Sequence, residues 1–172
     1  MMKAKFINLR NFIPVIITSL ILSSCSKDST TTNDLIGTWT TQSSTFTATI
    51  NGKTMTQYFI DNMGLTSTEA AQAVALFNTT LQQSFTGTIQ MKSDNTYTDT
   101  MGGGTDTGTW SLSSDNKKLT IDSSTEAPVI LDVIELTSSK LHLKGTETET
   151  DDLNGDSTPE TIIVNIDLTL TK

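Results

Sequence analysis

The sequence predicts one all-β domain over residues 35–172: a single up-and-down antiparallel β-barrel of about eight to nine strands, with one helix inserted near 66–83. Three observations predict it. Threonine is abundant and only 17% of the 172 residues are charged, a composition that suits pleated surfaces better than long helices laced with ion pairs. Strand-like runs follow one another with short turn sequences between them. The last run alternates cleanly: Ile162, Val164, Ile166, Leu168 and Leu170 point one way, and Asn165, Asp167, Thr169 and Thr171 the other. That is a strand with one face buried and one wet. Sequential hairpins give a meander, and closing the meander removes its exposed edges.

Ahead of the domain, residues 1–24 read as a cleavable export signal. Lys3, Lys5 and Arg10 form a basic start, and Phe12 to Leu22 is the apolar stretch behind it, the order of a secretory signal. The stretch is short of the roughly 20 residues a membrane span needs, and Pro14 and Ser23-Ser24 shorten it further. Leu22-Ser23-Ser24-Cys25 then resembles the lipobox of bacterial lipoproteins. The resemblance implies that Cys25 receives a diacylglyceryl chain through a thioether and becomes the first residue of the mature protein. Two or three acyl chains hold stably where one does not, so the expected protein is anchored to a membrane without spanning it. Ser26, where inner-membrane retention favours Asp, points to the outer membrane, and Lys27-Asp28 resembles the short charged signals that send some lipoproteins to the cell surface. Ser26 to Asp34 is polar and aperiodic, which makes 25–34 a lipidated, flexible tether.

The domain begins at Leu35-Ile36. Thr45 to Ile50 and Lys53 to Ile60 flank Asn51-Gly52, a dipeptide that tolerates the positive φ angles of a two-residue hairpin turn. Phe46, Ala48 and Ile50 share a face of the first arm. Asp61 to Leu65 breaks the pattern. Thr66 to Gln83 is the one convincing helix: Thr66 and Glu69 fit a capping box, and Ala70, Val74, Phe77 and Leu81 fall on one stripe. This helix is expected to cover an open end or one flank of the barrel. Phe85 to Met91 pairs with Thr96 to Met101 around Ser93-Asp94-Asn95, and Asp106 to Leu112 with Lys117 to Asp122 around Ser113 to Asn116. Gly102-Gly103-Gly104 has a strand behind it rather than a helix, so it reads as a flexible hairpin loop and not as a phosphate cradle. Pro128 to Leu136, Lys140 to Thr150 and Glu160 to Thr171 complete the set.

Leu35-Ile36-Gly37-Thr38-Trp39 resembles the Gly-X-Trp first strand of lipocalins, and Thr107 to Leu112 with Ser113 to Ile121 resembles the middle hairpin of lipocalin-like domains in Gram-negative lipoproteins. The resemblance implies a barrel whose Trp39 plugs the closed end while Gly37 permits a close approach there. Two departures stand out. Lipocalins usually set an Arg of the last strand against that Trp, and here only Lys172 is basic at its end. The inserted helix is also not the usual plan.

Charge excludes some functions. The formal charge is −8, and loss of Lys3, Lys5 and Arg10 with no acidic residue takes the mature chain to −11. No basic patch offers itself to nucleic acid. His142 is the single histidine, set between Leu141 and Leu143 and so facing outward. Cys25 is the single cysteine; once alkylated it leaves no thiol. Nucleophile–base sets and zinc sites therefore cannot be assembled, no carboxylate pair is singled out, and no enzyme is expected.

One stretch is acidic: Glu147, Glu149, Asp151, Asp152, Asp156 and Glu160 crowd around Leu153-Asn154-Gly155. Asp152, Asn154 and Asp156 place oxygens at alternate positions, as a Ca²⁺ loop opens, and Glu160 can add another. Against this, Ser157 stands at the turn glycine and Ile163 at the twelfth position, so the alternative is a polar hairpin turn.

Two functions stay open. One is a barrel that binds a small hydrophobic ligand inside, lined by Trp39, Phe46, Phe59, Tyr97, Met101 and Trp110. The other is a structural or interaction module with a filled barrel or an immunoglobulin-like β-sandwich, whose outer face meets an envelope protein partner. An empty interior favours the first and a filled one the second, and the order of strand pairing separates barrel from sandwich.

Overall fold

The computed structural model describes residues 29–172, with side chains from residue 32 onward. Its strands are Gly37–Ile50 (β1), Lys53–Thr54 (β2), Thr88–Met91 (β3), Thr96–Asp99 (β4), Asp106–Leu112 (β5), Lys118–Ser123 (β6), Val129–Leu136 (β7), Lys140–Asp151 (β8) and Glu160–Thr171 (β9). Three helices accompany them, Ser29–Leu35 (α1), Met55–Met63 (α2) and Ser67–Ser84 (α3), and Met101–Gly103 forms a 3-10 turn.

The sheet runs β2-β1-β3-β4-β5-β6-β7-β8-β9, and β9 returns to pair with β1. All these pairings are antiparallel, so β1 and β3 to β9 close an eight-stranded barrel to which β2 adds a two-residue flap. Neighbours in sequence are neighbours in the wall, which is the meander the sequence predicts and not the order of a sandwich. The closing seam is long. β1 pairs with β9 from Thr40↔Thr171 to Ile50↔Ile162, and β8 pairs with β9 from Lys140↔Thr171 to Asp151↔Glu160. Asparagines make the tight turns: Asn51, Asn95 and Asn116 all take positive φ, a conformation Asn tolerates better than most residues.

Alternation places the core. Ile162, Val164, Ile166, Leu168 and Leu170 on β9 are buried, and they join Trp39, Phe46, Ile50, Tyr97, Trp110, Leu119, Leu141 and Leu143 in one apolar cluster. The register sets two ends. β1 starts and β9 finishes at the end sealed by Trp39 and Leu35, and the opposite end carries the last residues of β4, β6 and β8. Helix α3 has its predicted capping box, with Thr66 and Glu69 each bonding the other's backbone amide. Ala70 and Leu81 are buried and Val74 and Phe77 pack on the core. This helix lies against α2, β1 and the 3-10 turn.

Three expectations need correcting. Lys53 to Ile60 is not a strand arm: the hairpin turn forms, but after Thr54 the chain enters α2. The Thr54 hydroxyl accepts from the Gln57 amide, Gly64 ends the helix in the left-handed conformation, and Met55 and Tyr58 are buried one turn apart. Residues 29–34 are helical rather than an aperiodic tether; this helix ends on Leu35, which is fully buried and accepts a hydrogen bond from Trp39 Nε1 at 2.8 Å. The arm expected from Phe85 starts only at Thr88, because α3 runs to Ser84. Met101 likewise leaves the strand for the 3-10 turn.

Candidate functional site

Toward the closed end the inner wall is apolar, and the polar atoms of its large aromatic residues are bonded within the protein. Trp39 is 0% exposed. Trp110 donates its Nε1–H to the carbonyls of Lys92 and Thr96 at 3.2 and 3.1 Å. The Tyr97 hydroxyl donates to Asp106 at 2.5 Å, and Ser123 donates to the other oxygen of the same carboxylate at 2.9 Å. Burial and the facing Asp106 push the Tyr97 phenol far up, so it stays protonated as a donor. Of the six candidate lining residues, Trp39, Phe46, Tyr97 and Trp110 stand together in the core. Phe59 lies on α2 and Met101 on the 3-10 turn, both partly buried against that core from outside the strands.

The open end has a different character. By strand alternation Asp99, Asp106, Glu147 and Glu149 face inward there. Burial pushes the carboxyls of Asp99, Glu147 and Glu149 up from their ordinary values, with Asp106 adding to the effect on Asp99 and Asp151 to that on Glu149. On β7 the inward residues Val129, Leu131 and Val133 are only half-buried.

Lys172 closes the other end. Its ammonium lies 4.3 Å from the centre of the Trp39 ring and donates to the carbonyls of Asp34 and Ile36. Gly37 makes room: it has φ +140°, and a Cβ there would come within 2.8 Å of Lys172 Cε. The cation that the last strand seemed to lack is supplied one residue beyond its end.

Outside the barrel, a shallow groove of about 440 Å³ runs over β1, β9, β8 and β7, lined mainly by Thr45, Thr47, Asp132, Lys144, Thr146, Asn165 and Asp167. His142 faces outward as expected, with Nε2 2.7 Å from Asp167, whose other oxygen is 3.0 Å from Lys144. Lys144 and His142 hold the Asp167 carboxyl below its ordinary range.

In the acidic loop, Asp152 accepts from the amides of Gly155, Asp156 and Ser157. Asn154 accepts from the Asp156 amide and donates to its carboxylate, Asp156 accepts from Thr158, and Glu160 accepts from Leu153. Among the described residues no three His, Cys, Asp or Glu side chains converge, as they stand, on a metal position. Glu160 is 4% exposed, the one buried charged residue among those described. Beside it lies Tyr58 of α2, 0% exposed, and burial together with the facing Glu160 carboxylate pushes its phenol far up. Sequence reasoning missed Tyr58, and it named Lys172 only as the basic residue at the end of the last strand. Met55, Tyr58 and Phe59 at helical spacing were the signal for the first, and the second sits past the last alternating residue.

Cys25 lies outside the described residues. Within them, no helix is long and apolar enough to cross a membrane.

No protein-family model and no curated protein matches the chain. Among solved structures, the chain is similar to a duf4847 family protein from Bacteroides vulgatus, at 18% identity over 74% of this chain and 90% of that one, with a TM-score of 0.33.

Proposed function

We propose that this chain is a non-enzymatic lipoprotein of the cell envelope, held at the outer membrane by lipid on Cys25. Its barrel is a filled scaffold, and its outer face is the surface that meets an envelope partner. The observation that carries the filled reading is the state of the inner wall. Trp39, Tyr97 and Trp110 are sealed, and their polar atoms are taken by Leu35, Asp106, Lys92 and Thr96. A ligand entering that region would have to displace side chains from an apolar core, which costs more than small-molecule contacts return. An eight-stranded barrel is narrow enough for side chains alone to fill it.

A small hydrophobic ligand near the open end is the second reading. It is favoured by the half-buried row Val129, Leu131 and Val133. One experiment tests both. Cys25→Ser moves the protein from the membrane to the soluble fraction, and a variant that still sediments and resists alkaline wash overturns the anchor. The released protein, titrated with an apolar fluorescent probe, gives no saturable signal if the barrel is filled. Stoichiometric binding that quenches tryptophan emission overturns the filled scaffold in favour of a ligand.

A further inference from the structure

Strand β7 turns two large apolar side chains to the outside. Val129, Leu131 and Val133 face inward, so alternation sends Ile130, Asp132 and Ile134 outward, and Ile130 and Ile134 are 58% and 53% exposed. The two lie on one face of one strand, about 13 Å apart along it. Met63 and Leu76 are the other exposed large hydrophobics among the described residues, and they sit on separate helices. Singly scattered apolar residues are ordinary on a protein surface; Ile130 and Ile134 share theirs.

Two observations say what covers this face. The first is where the chain ahead of the barrel arrives. Helix α1 lies against β7, and Cys25 is four residues ahead of Ser29, where α1 starts. Four residues span at most about 14 Å, so a lipid on Cys25 keeps this side of the barrel at the membrane surface. The second is charge. Lys117, Lys118 and Lys140 stand beside β7 at the closed end, where β6 and β8 begin and β7 finishes. Lys118 pairs with Asp132 and Lys140 with Glu135, so the carboxylates next to the two isoleucines are each matched by a lysine. The open end carries Asp99, Asp106, Asp122, Glu126, Glu147 and Glu149, and Lys53 at that end is held by Asp61. An anionic bilayer surface repels the open end and accepts the lysine-lined side.

We propose that the barrel wall around β7 seats on a phospholipid surface, closed end lowest. Ile134 enters the headgroup boundary more deeply than Ile130, and Lys117, Lys118 and Lys140 meet headgroup phosphates. The inference rests on lipidation of Cys25 as proposed above, and it adds an orientation: the acidic open end faces away from the membrane. Apolar side chains at the acyl boundary, with lysines reaching to the headgroups, hold proteins in a bilayer interface.

Lipid occupies the Cys25 sulfur, so Ile134→Cys, Ile130→Cys and Glu126→Cys each give the mature lipoprotein a single thiol for an environment-sensitive fluorophore. Each labelled protein is reconstituted into vesicles of phosphatidylethanolamine and phosphatidylglycerol, and intact mass reports the diacylglyceryl group. Nitroxides on the lipid acyl chains should quench the label at 134 several-fold more than the label at 126, with 130 between them. Emission at 134 should shift to the blue. Lys117→Gln, Lys118→Gln and Lys140→Gln together should remove about half of the quenching at 134. Lipidated protein whose label at 134 is quenched no more than that at 126 overturns the seat and leaves the anchor standing. Quenching that survives all three lysine substitutions overturns the headgroup contact. Protein without the lipid mass overturns the anchor, and the seat with it. A blue-shifted label at 134 in the soluble Cys25→Ser background, without vesicles and in a protein that sediments as a dimer, overturns the seat in favour of a second copy of this chain.

Discussion

Glu147 faces inward from β8 opposite Val164, and burial alone raises its carboxyl from an ordinary value of 4.5. A carboxyl raised on folding binds its proton more tightly in the native state than in the unfolded chain. The penalty for ionising it is absent below the unfolded value, grows as pH rises through the folded value, and is complete above that. Glu147→Gln should therefore raise the melting temperature at pH 7, and the gain should shrink to nothing near pH 4. A gain that persists unchanged at acid pH would show that charge is not its source. Asp106 on the same inner surface has two hydrogen-bond donors, Tyr97 and Ser123. Sequence reasoning could assign Glu147 to a face by alternation. It could not see that Asp106 has two donors, since Ser123 and Tyr97 come from the strands on either side of β5. Such pairings exist only once the register does.

At the scale of elements, the strands were legible and helix α2 was not, for a physical reason. Asn51-Gly52 makes the hairpin turn it announces, with both residues at positive φ. A turn does not fix how far its second arm runs. β9 takes one edge of β1 along 40–50 and β3 takes the other along 37–40, so the second edge stays open beyond Thr40, yet β2 pairs only with Thr49 and Ile50. Beyond Thr54 the helical spacing of Met55, Tyr58 and Phe59 decides. These side chains reach the core from one face of a helix, while a strand would have turned Tyr58 and Phe59 to opposite sides. Thr54 then acts as an N-cap rather than as a strand residue. Thr54→Ala should cost about 0.5–2 kcal/mol in chemical denaturation, and Thr54→Asp or Thr54→Ser should restore it. An alanine variant as stable as the parent would mean that packing alone holds this helix.

Across the whole molecule, the start of the first barrel strand and the residue after the last are fastened to each other at the closed end of the barrel. Residues 34–39 and Lys172 are far apart in sequence, and β1 and β9 bring them together by pairing Thr40 with Thr171. The next residue, Lys172, then falls over the Trp39 ring and within reach of two carbonyls left free where α1 ends. Burial lowers the Lys172 ammonium below its ordinary value, with Asp34 opposing, so desolvation offsets part of the gain. Cation–π attraction and hydrogen bonds from a charged donor leave a net contribution of about 1–2 kcal/mol. Lys172→Met keeps the side chain's length and removes the charge. Measured in the soluble Cys25→Ser background, it should lower unfolding free energy by that amount and speed exchange of the Trp39 indole N–H, because the chain around Leu35 loses its clasp. Lys172→Arg should restore stability, since a guanidinium stacks on tryptophan and donates to both carbonyls. Equal stability of the methionine and parent proteins would show that Trp39 and Leu35 seal this end without the lysine.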